Sequence, residues 1–364
     1  MNERLRFLEL VSLDGYSLSS ACREVGISRN TGRMWRDRGA VTELSRRPLT
    51  SPTKTAPEHA QMLIDAFHLY EGDWGARKLL EVVWPGGSAP MSERTAARIL
   101  ADNDLRVHWA TAPKVVENFE RGYANELWQM DCKNILRAGG KRQILSVIDD
   151  ATRYCIGLVV VPDQTLHSLW QACWSLFGTY GLPNQVLTDN GSAFRSLGTW
   201  RYSQFDLRLM RMKIQSLHGR PRHPQTQGKV ERLHGTLERE WGHKLRECPQ
   251  SQFNEVLEQF RQRYNQVRPH QSIQMKTPAS LYTLSSRTRP KRLPSLPNPK
   301  GALARKVEEH GIIGFNGSKF NLGKSLAGQT VHVFIDHEQV NQLYYKGLHI
   351  DRLDAFRGGK DVLS

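Results

Sequence analysis

The stretch LWQMDCKNILRAGGKRQILSVIDDATRYCIGLVVV, residues 127–161, decides the fold. Residues 127–136, 143–149 and 154–161 are each of strand length, rich in Val, Ile, Leu and Tyr, and separated by turn-forming residues. Gly139-Gly140 fits a hairpin between the first two. Further on, the spacing predicts a helix over 165–180, a short strand over 185–188, a helix over about 226–246 and another over 253–266. Meandering strands followed by helix, strand and helices predict an α/β core with a mixed sheet over residues 127–284.

Within that span, certain carboxylates stand out by position. Asp131 sits inside the first apolar strand, Asp189 ends the fourth in LTDNG (187–191), and Glu231 opens a helix after GRPRHPQTQGKV (219–230). A carboxylate in an apolar strand is costly unless something neutralises it. Several converging on one point repel one another without a cation, and an all-oxygen ligand set selects Mg²⁺ or Mn²⁺. A pair of such ions, held roughly 3.5–4 Å apart, activates one phosphate-ester oxygen while stabilising the one that leaves.

The residues WQMD (128–131), TDNGSAF (188–194) and HPQTQGKVER (223–232) make the segment from Leu127 to about Pro278 resemble an RNase H-like catalytic core. It is similar to the core of retroviral integrases and, more closely, of bacterial insertion-sequence transposases of the DDE class. Tyr264-Asn265, Arg268-Pro269-His270 and Thr277-Pro278 extend the match. The resemblance implies that Asp131, Asp189 and Glu231 are catalytic and hold two metal ions, Asp131 touching both. It also implies that Lys229 and the loop of His223 to Gln227 meet DNA near the scissile phosphate. The span between Asp189 and Glu231 is longer than in retroviral integrases, and their zinc-binding His/His/Cys/Cys module is missing.

Other groups compete for these roles. Asp149 and Asp150 read better as turn residues accepting N–H bonds than as ligands. Glu238 lies about two turns beyond Glu231 and is the fallback ligand; Glu240 lies on the same helix. His218 and His223 fit a phosphate-facing loop better than a metal pair. The five scattered cysteines form no CxxC pair, and core packing explains them.

Outward from the core, residues 1–44 read as a helix-turn-helix whose third helix carries Arg29, Asn30, Arg33 and Arg36, side chains suited to phosphates and base edges. An ordinary three-helix bundle with a basic solvated face explains this segment equally well. Residues 45–57, with Arg46 and Arg47, form a basic linker; 58–104 a second helix-turn-helix-like unit; and 105–126 a connector. Ser28-Arg29-Asn30-Thr31 and Ser92-Glu93-Arg94-Thr95 open helices alike. Residues 285–306, basic and proline-bearing with no acidic residue, read as an extended linker, and 307–364 as a small β-barrel with a hairpin at Asn316-Gly317.

Fifty-one Lys and Arg against 36 Asp and Glu give a net charge of +15, which suits a polyanionic partner. Arg208, Arg211, Lys213, Arg220, Arg222 and Lys229 form a basic run with no acid between Leu207 and Val230, and Arg220, Arg222, His223, Gln225, Lys229 and Arg232 are the expected DNA contacts beside the carboxylates. No apolar run approaches bilayer length and Met1 opens no signal pattern, so no membrane partner is expected.

Together these features predict a multidomain DNA transposase that binds element ends, cleaves to release a 3′-hydroxyl and joins it to target DNA. The expected partners are double-stranded DNA, both element ends and target, and further copies of the chain. The expected setting is cytoplasmic, at the bacterial nucleoid. Its rivals are a domesticated or inactive transposase that only binds specific DNA, and a nuclease of RNA–DNA hybrids.

Overall fold

Residues 127–130 of the first strand are all buried, as the middle strand of a sheet covered on both faces must be. The computed structural model describes residues 3–39, 55–107, 120–137, 140–189, 194, 202–218 and 228–356. Met1–Thr55 and Ala56–Ser364 form separate compact units.

In the first unit, α1 (Glu3–Ser12), α2 (Leu18–Val25) and α3 (Arg29–Arg38) pack around Phe7, Ala21 and Cys22. Ser17 and Ser28 cap the second and third helices by accepting from Ser20 N and Thr31 N. Gly32 lets α3 come close: a Cβ there would stand 2.2 Å from Cys22 Sγ and 3.0 Å from Phe7 Cζ. The helices predicted for residues 1–44 are thus present, while the linker residues Arg46 and Arg47 lie outside the described residues.

The second unit begins with α4 (Pro57–Leu69), α5 (Ala76–Val83) and α6 (Glu93–Asp102), gathered on Leu63, Phe67, Trp74 and Leu79. Ser92 caps α6 from Thr95 N, the same device as Ser28 with Thr31.

The core follows: β1 (Leu127–Arg137), β2 (Gly140–Asp149), β3 (Cys155–Val161), α7 (Leu166–Tyr180), β4 (Gln185–Thr188), α8 (Gln204–Arg211), β5 (Gln215–His218), α9 (Gly228–Glu247) and α10 (Phe253–Gln266). Among the described residues the sheet runs β3-β2-β1-β4-β5. β1, β2 and β3 are antiparallel neighbours, whereas β4 is parallel to both β1 and β5. Trp128 and Met130 point to the face covered by α7 and α8. Ile135, Ile144 and Ile148 point to the other, covered by α9 and α10. This is the mixed α/β core expected from the sequence.

The C-terminal strands are β6 (Leu303–Lys306), β7 (Ile312–Phe315), β8 (Ser318–Asn321), β9 (Thr330–Ile335), β10 (Asn341–Tyr345) and β11 (Leu348–Arg352). The Asn316-Gly317 hairpin forms, both residues being left-handed at φ 47° and 72°. The expected barrel does not. Among the described residues, a sheet in the order β11-β10-β9-β6 and the separate β7-β8 pair share one apolar core without closing on each other.

Residues 285–306 also depart from expectation. They do not extend freely but strap the core. Leu182 N donates to Arg287 O at 2.7 Å, and the Arg287 guanidinium reaches the carbonyls of Pro183 (2.6 Å), Met212 and Lys213 (2.8 Å each). Arg289 donates to Trp174 O at 2.8 Å and lies over its ring. Basic residues and prolines suggested an extended linker. Here the Arg287 guanidinium satisfies carbonyls that loops and a helix end leave open.

Candidate active site

Strand register brings the first two carboxylates together. β1 and β4 pair in parallel, ending at Met130 with Thr188. One step further along, Asp131 and Asp189 leave the same ends of neighbouring strands on the same face. Asp131 is half-buried, and burial, then the charge of Asp189 and, less strongly, of Glu231, push its pKa up to about 6. Asp131 is therefore close enough to feel both Asp189 and Glu231.

α9 supplies the third side of the site. Its inward side chains, Val230, His234, Leu237 and Trp241, line the β1 face, while Glu231 is exposed near the helix start. His234 Nε2 lies 2.7 Å from Ser146 Oγ, and its Nδ1 lies 3.5 Å from Asp131 Oδ2. Ser146 is the β2 residue opposite Asp131. Burial, helped by Lys133, pushes the His234 pKa down to about 4. The ring is neutral at pH 7, so it meets Asp131 as a dipole and not as an ion pair. Sequence reading missed His234; its place on the apolar stripe of VERLHGTL (230–237) was the available signal.

The competing acids are accounted for. Asp149 accepts from Thr152 N (2.9 Å) and Asn125 N (2.7 Å), as a turn residue should. Glu238 is exposed and paired with Arg246 at 2.6 Å, and Glu240 is buried against Arg268 at 2.9 Å. His218 bridges Thr188 Oγ1 and Asp206 Oδ1, 3.1 Å from each, so it is neither a metal ligand nor a phosphate contact as it stands. Burial alone would raise Asp206, but His218, Ser216 and Ser203 overrule it and hold its pKa below the usual carboxylate range.

Carboxylate oxygens alone suit a hard divalent cation. The donor set thus fits Mg²⁺ or Mn²⁺. Even so, among the described residues no three His, Cys, Asp or Glu side chains are grouped tightly enough to hold a metal ion.

The expected DNA contacts fall into distinct groups. Arg29, Asn30, Arg33 and Arg36 are all exposed on α3, with Arg36 also paired to Asp37 at 3.0 Å. Arg232 is exposed beside Glu231 and donates to Gly228 O at 3.1 Å. Arg220, Arg222, His223 and Gln225 lie outside the described residues. Lys229 overturns its expectation: it is buried, its ammonium 2.5 Å from Asp150 Oδ2, so it faces the interior and not a phosphate. Burial and the nearby Arg153 pull its pKa down against the pull of Asp150. Among the described residues no helix is long and apolar enough to cross a membrane.

The chain is similar to known proteins over its α/β core. The family model described as "Integrase core domain" matches residues 123–224, and a second of the same description matches 212–278. The Pol-related polyprotein of the mouse intracisternal A-particle MIA14 is 28% identical over 190 residues, 52% of this chain and 19% of the relative. The Gag-Pro-Pol polyprotein of Mason-Pfizer monkey virus is 28% identical over 144 residues, 39% of this chain and 8% of the relative. The chain therefore spans less than a fifth of the length of these curated relatives. Among solved structures, the HTLV-2 integrase catalytic core domain in complex with magnesium is 20% identical, with 45% of this chain and 100% of that one covered at a TM-score of 0.37. These relatives are retroviral, so the insertion-sequence part of the expectation rests on the sequence motifs alone.

Proposed function

We propose that this chain is a DDE transposase of the insertion-sequence type, a reading supported by the match of residues 123–224 and 212–278 to the integrase core domain models. It binds element ends, cleaves them to free a 3′-hydroxyl and transfers that end into target DNA. Water attacks the phosphorus and the 3′-oxygen departs with a proton; that 3′-oxygen then attacks a target phosphorus and displaces the target's own 3′-oxygen. Asp131, Asp189 and Glu231 would hold two divalent ions, Mg²⁺ or Mn²⁺. Bound there, such ions supply Lewis-acid stabilisation of charge building on the phosphate oxygens.

The chain's other groups orient and bind. His234 steadies Asp131 from the interior, Arg232 reaches a phosphate beside Glu231, and the exposed face of α3 reads the element end. Two ends handled together call for more than one copy of the chain on DNA, at the bacterial nucleoid. The register that sets Asp131 and Asp189 just beyond the paired ends of β1 and β4, with the start of α9 packed on the same face of β1, is the observation that supports this reading.

Asp131→Asn, Asp189→Asn and Glu231→Gln are each expected to abolish Mg²⁺-dependent joining of a labelled end while leaving end binding within about twofold, a change worth roughly 0.4 kcal/mol. Full joining activity in any of them removes that residue from the site. One observation favours a second reading, a protein that binds ends without cutting them: the carboxylates are not grouped at ligating distance as they stand. End binding with no joining in either metal would select it.

A further inference from the structure

Lys229 and Glu231 are two residues apart at the start of α9, about 200° around the helix from each other. Whatever fixes the inward direction of Lys229 therefore fixes the outward direction of Glu231. Lys229 Nζ is held by the Asp150 carboxylate at 2.5 Å and its carbonyl at 3.2 Å. Asp150 is fully buried and held in turn: Gln129 Nε2 donates to its Oδ1 at 2.7 Å, Arg121 N to its Oδ2 at 2.9 Å, and its own N–H to Leu127 O at 2.9 Å. The same Gln129 accepts from Val230 N through Oε1 at 3.4 Å. Gln129 lies on β1 two residues before Asp131, on the same face.

We infer that Lys229, Asp150 and Gln129 form a clamp that locks the first turn of α9 onto β1 and so aims Glu231 toward Asp131. Lys229 is then a positioning residue and not a DNA contact. His234 with Ser146 fastens the next turn, leaving Glu231 between two anchored points. Asp150 thereby gains a role that its turn position alone does not suggest. The inference rests on the reading of Glu231 as a metal-holding carboxylate.

The test uses the full-length protein with Lys229→Met, Asp150→Asn and the double variant, which removes both charges together and leaves no unpaired ion inside. Three quantities are read beside a folding check by circular dichroism. They are Mn²⁺ affinity by electron paramagnetic resonance, end-DNA affinity with its salt dependence, and amide hydrogen exchange over residues 228–234. The clamp predicts Mn²⁺ affinity weakened by about tenfold or more, as for other groups that support metal ligands. It also predicts faster exchange over 228–234, with DNA affinity and salt slope as in the wild type. A lost phosphate contact would instead weaken DNA binding and flatten the salt slope by about 0.9, with Mn²⁺ binding untouched, and this overturns the proposal. Unchanged exchange in all folded variants overturns it as well. A wild-type protein that binds no Mn²⁺ would instead sink the reading of Glu231, while the exchange rates still report whether Lys229 holds the helix.

Discussion

His234 shows how a single side chain can serve both packing and chemistry. Its ring lies between the hydroxyl of Ser146, which is fully buried, and the carboxylate of Asp131. His234→Leu keeps most of the volume but strands the Ser146 hydroxyl without a partner, a loss expected to cost about 1–3 kcal/mol. Adding Ser146→Ala removes the stranded group and is expected to restore most of that stability, since replacing both partners by apolar groups is nearly neutral. Urea unfolding of the three variants checks this; a double variant no better than the single one means that the hydrogen bond is not what His234 contributes. Position alone could not have announced this role. A histidine on an apolar helix stripe is usually a satisfied core residue, and only the register of Ser146 opposite Asp131 gives it a second partner.

Helices and strands were the most legible level. The meander, its parallel fourth strand and the helix bearing Glu231 follow from periodicity and turn residues. The family motifs then drew attention to Asp131 and Asp189, which the β1–β4 register puts side by side. Lys229 was misread because its neighbours GRPRHPQTQG are basic and polar, and charge in a one-dimensional string does not say which side of a helix is buried. The docking of the turn between α4 and α5 against α10 was equally invisible. There Arg263 donates to Asp73 at 2.8 Å and lies over the rings of Tyr70 and Trp74. Despite that guanidinium, burial and the charge of Glu240 push the Asp73 pKa up to about 6. Between the unfolded value near 3.8 and about 6, the folded protein binds a proton that the unfolded chain does not. This carboxylate therefore adds stability as pH falls through 6 toward 4, and none of that gain is present above 6. Asp73→Asn is expected to lose this component, so the stability difference between wild type and variant should shift in favour of the wild type on acidification. Unfolding free energies at pH 4.5 and 7 test it, and a difference independent of pH refutes it.

At the scale of the whole molecule, the excess of basic residues fits a polyanion as partner, but charge did not mark where one part of the chain ends and the next begins. The proline-bearing segment after the core was legible as basic and extended, not as attached. Its arginines find carbonyls around the ends of α7 and α8, and Arg211 returns the favour by donating to Pro294 O at 2.7 Å. Leu293 packs into the same apolar cluster as Trp128 and Phe177. A fragment of residues 56–284 is expected to melt more than about 5 °C below one of residues 56–298, the shift that roughly 2 kcal/mol produces in a domain of this size. Equal melting temperatures by calorimetry would show the strap to be dispensable.

That wrapping has a practical and an evolutionary side. Cutting the gene where the residue composition changes would strip the α/β core of its own belt, so a shuffled or shortened descendant has to carry those arginines along with the core. Any exchange of the C-terminal part between related chains is therefore best tolerated between Pro294, whose carbonyl is held by Arg211, and Leu296, whose N–H already answers to Lys346 O on the far side.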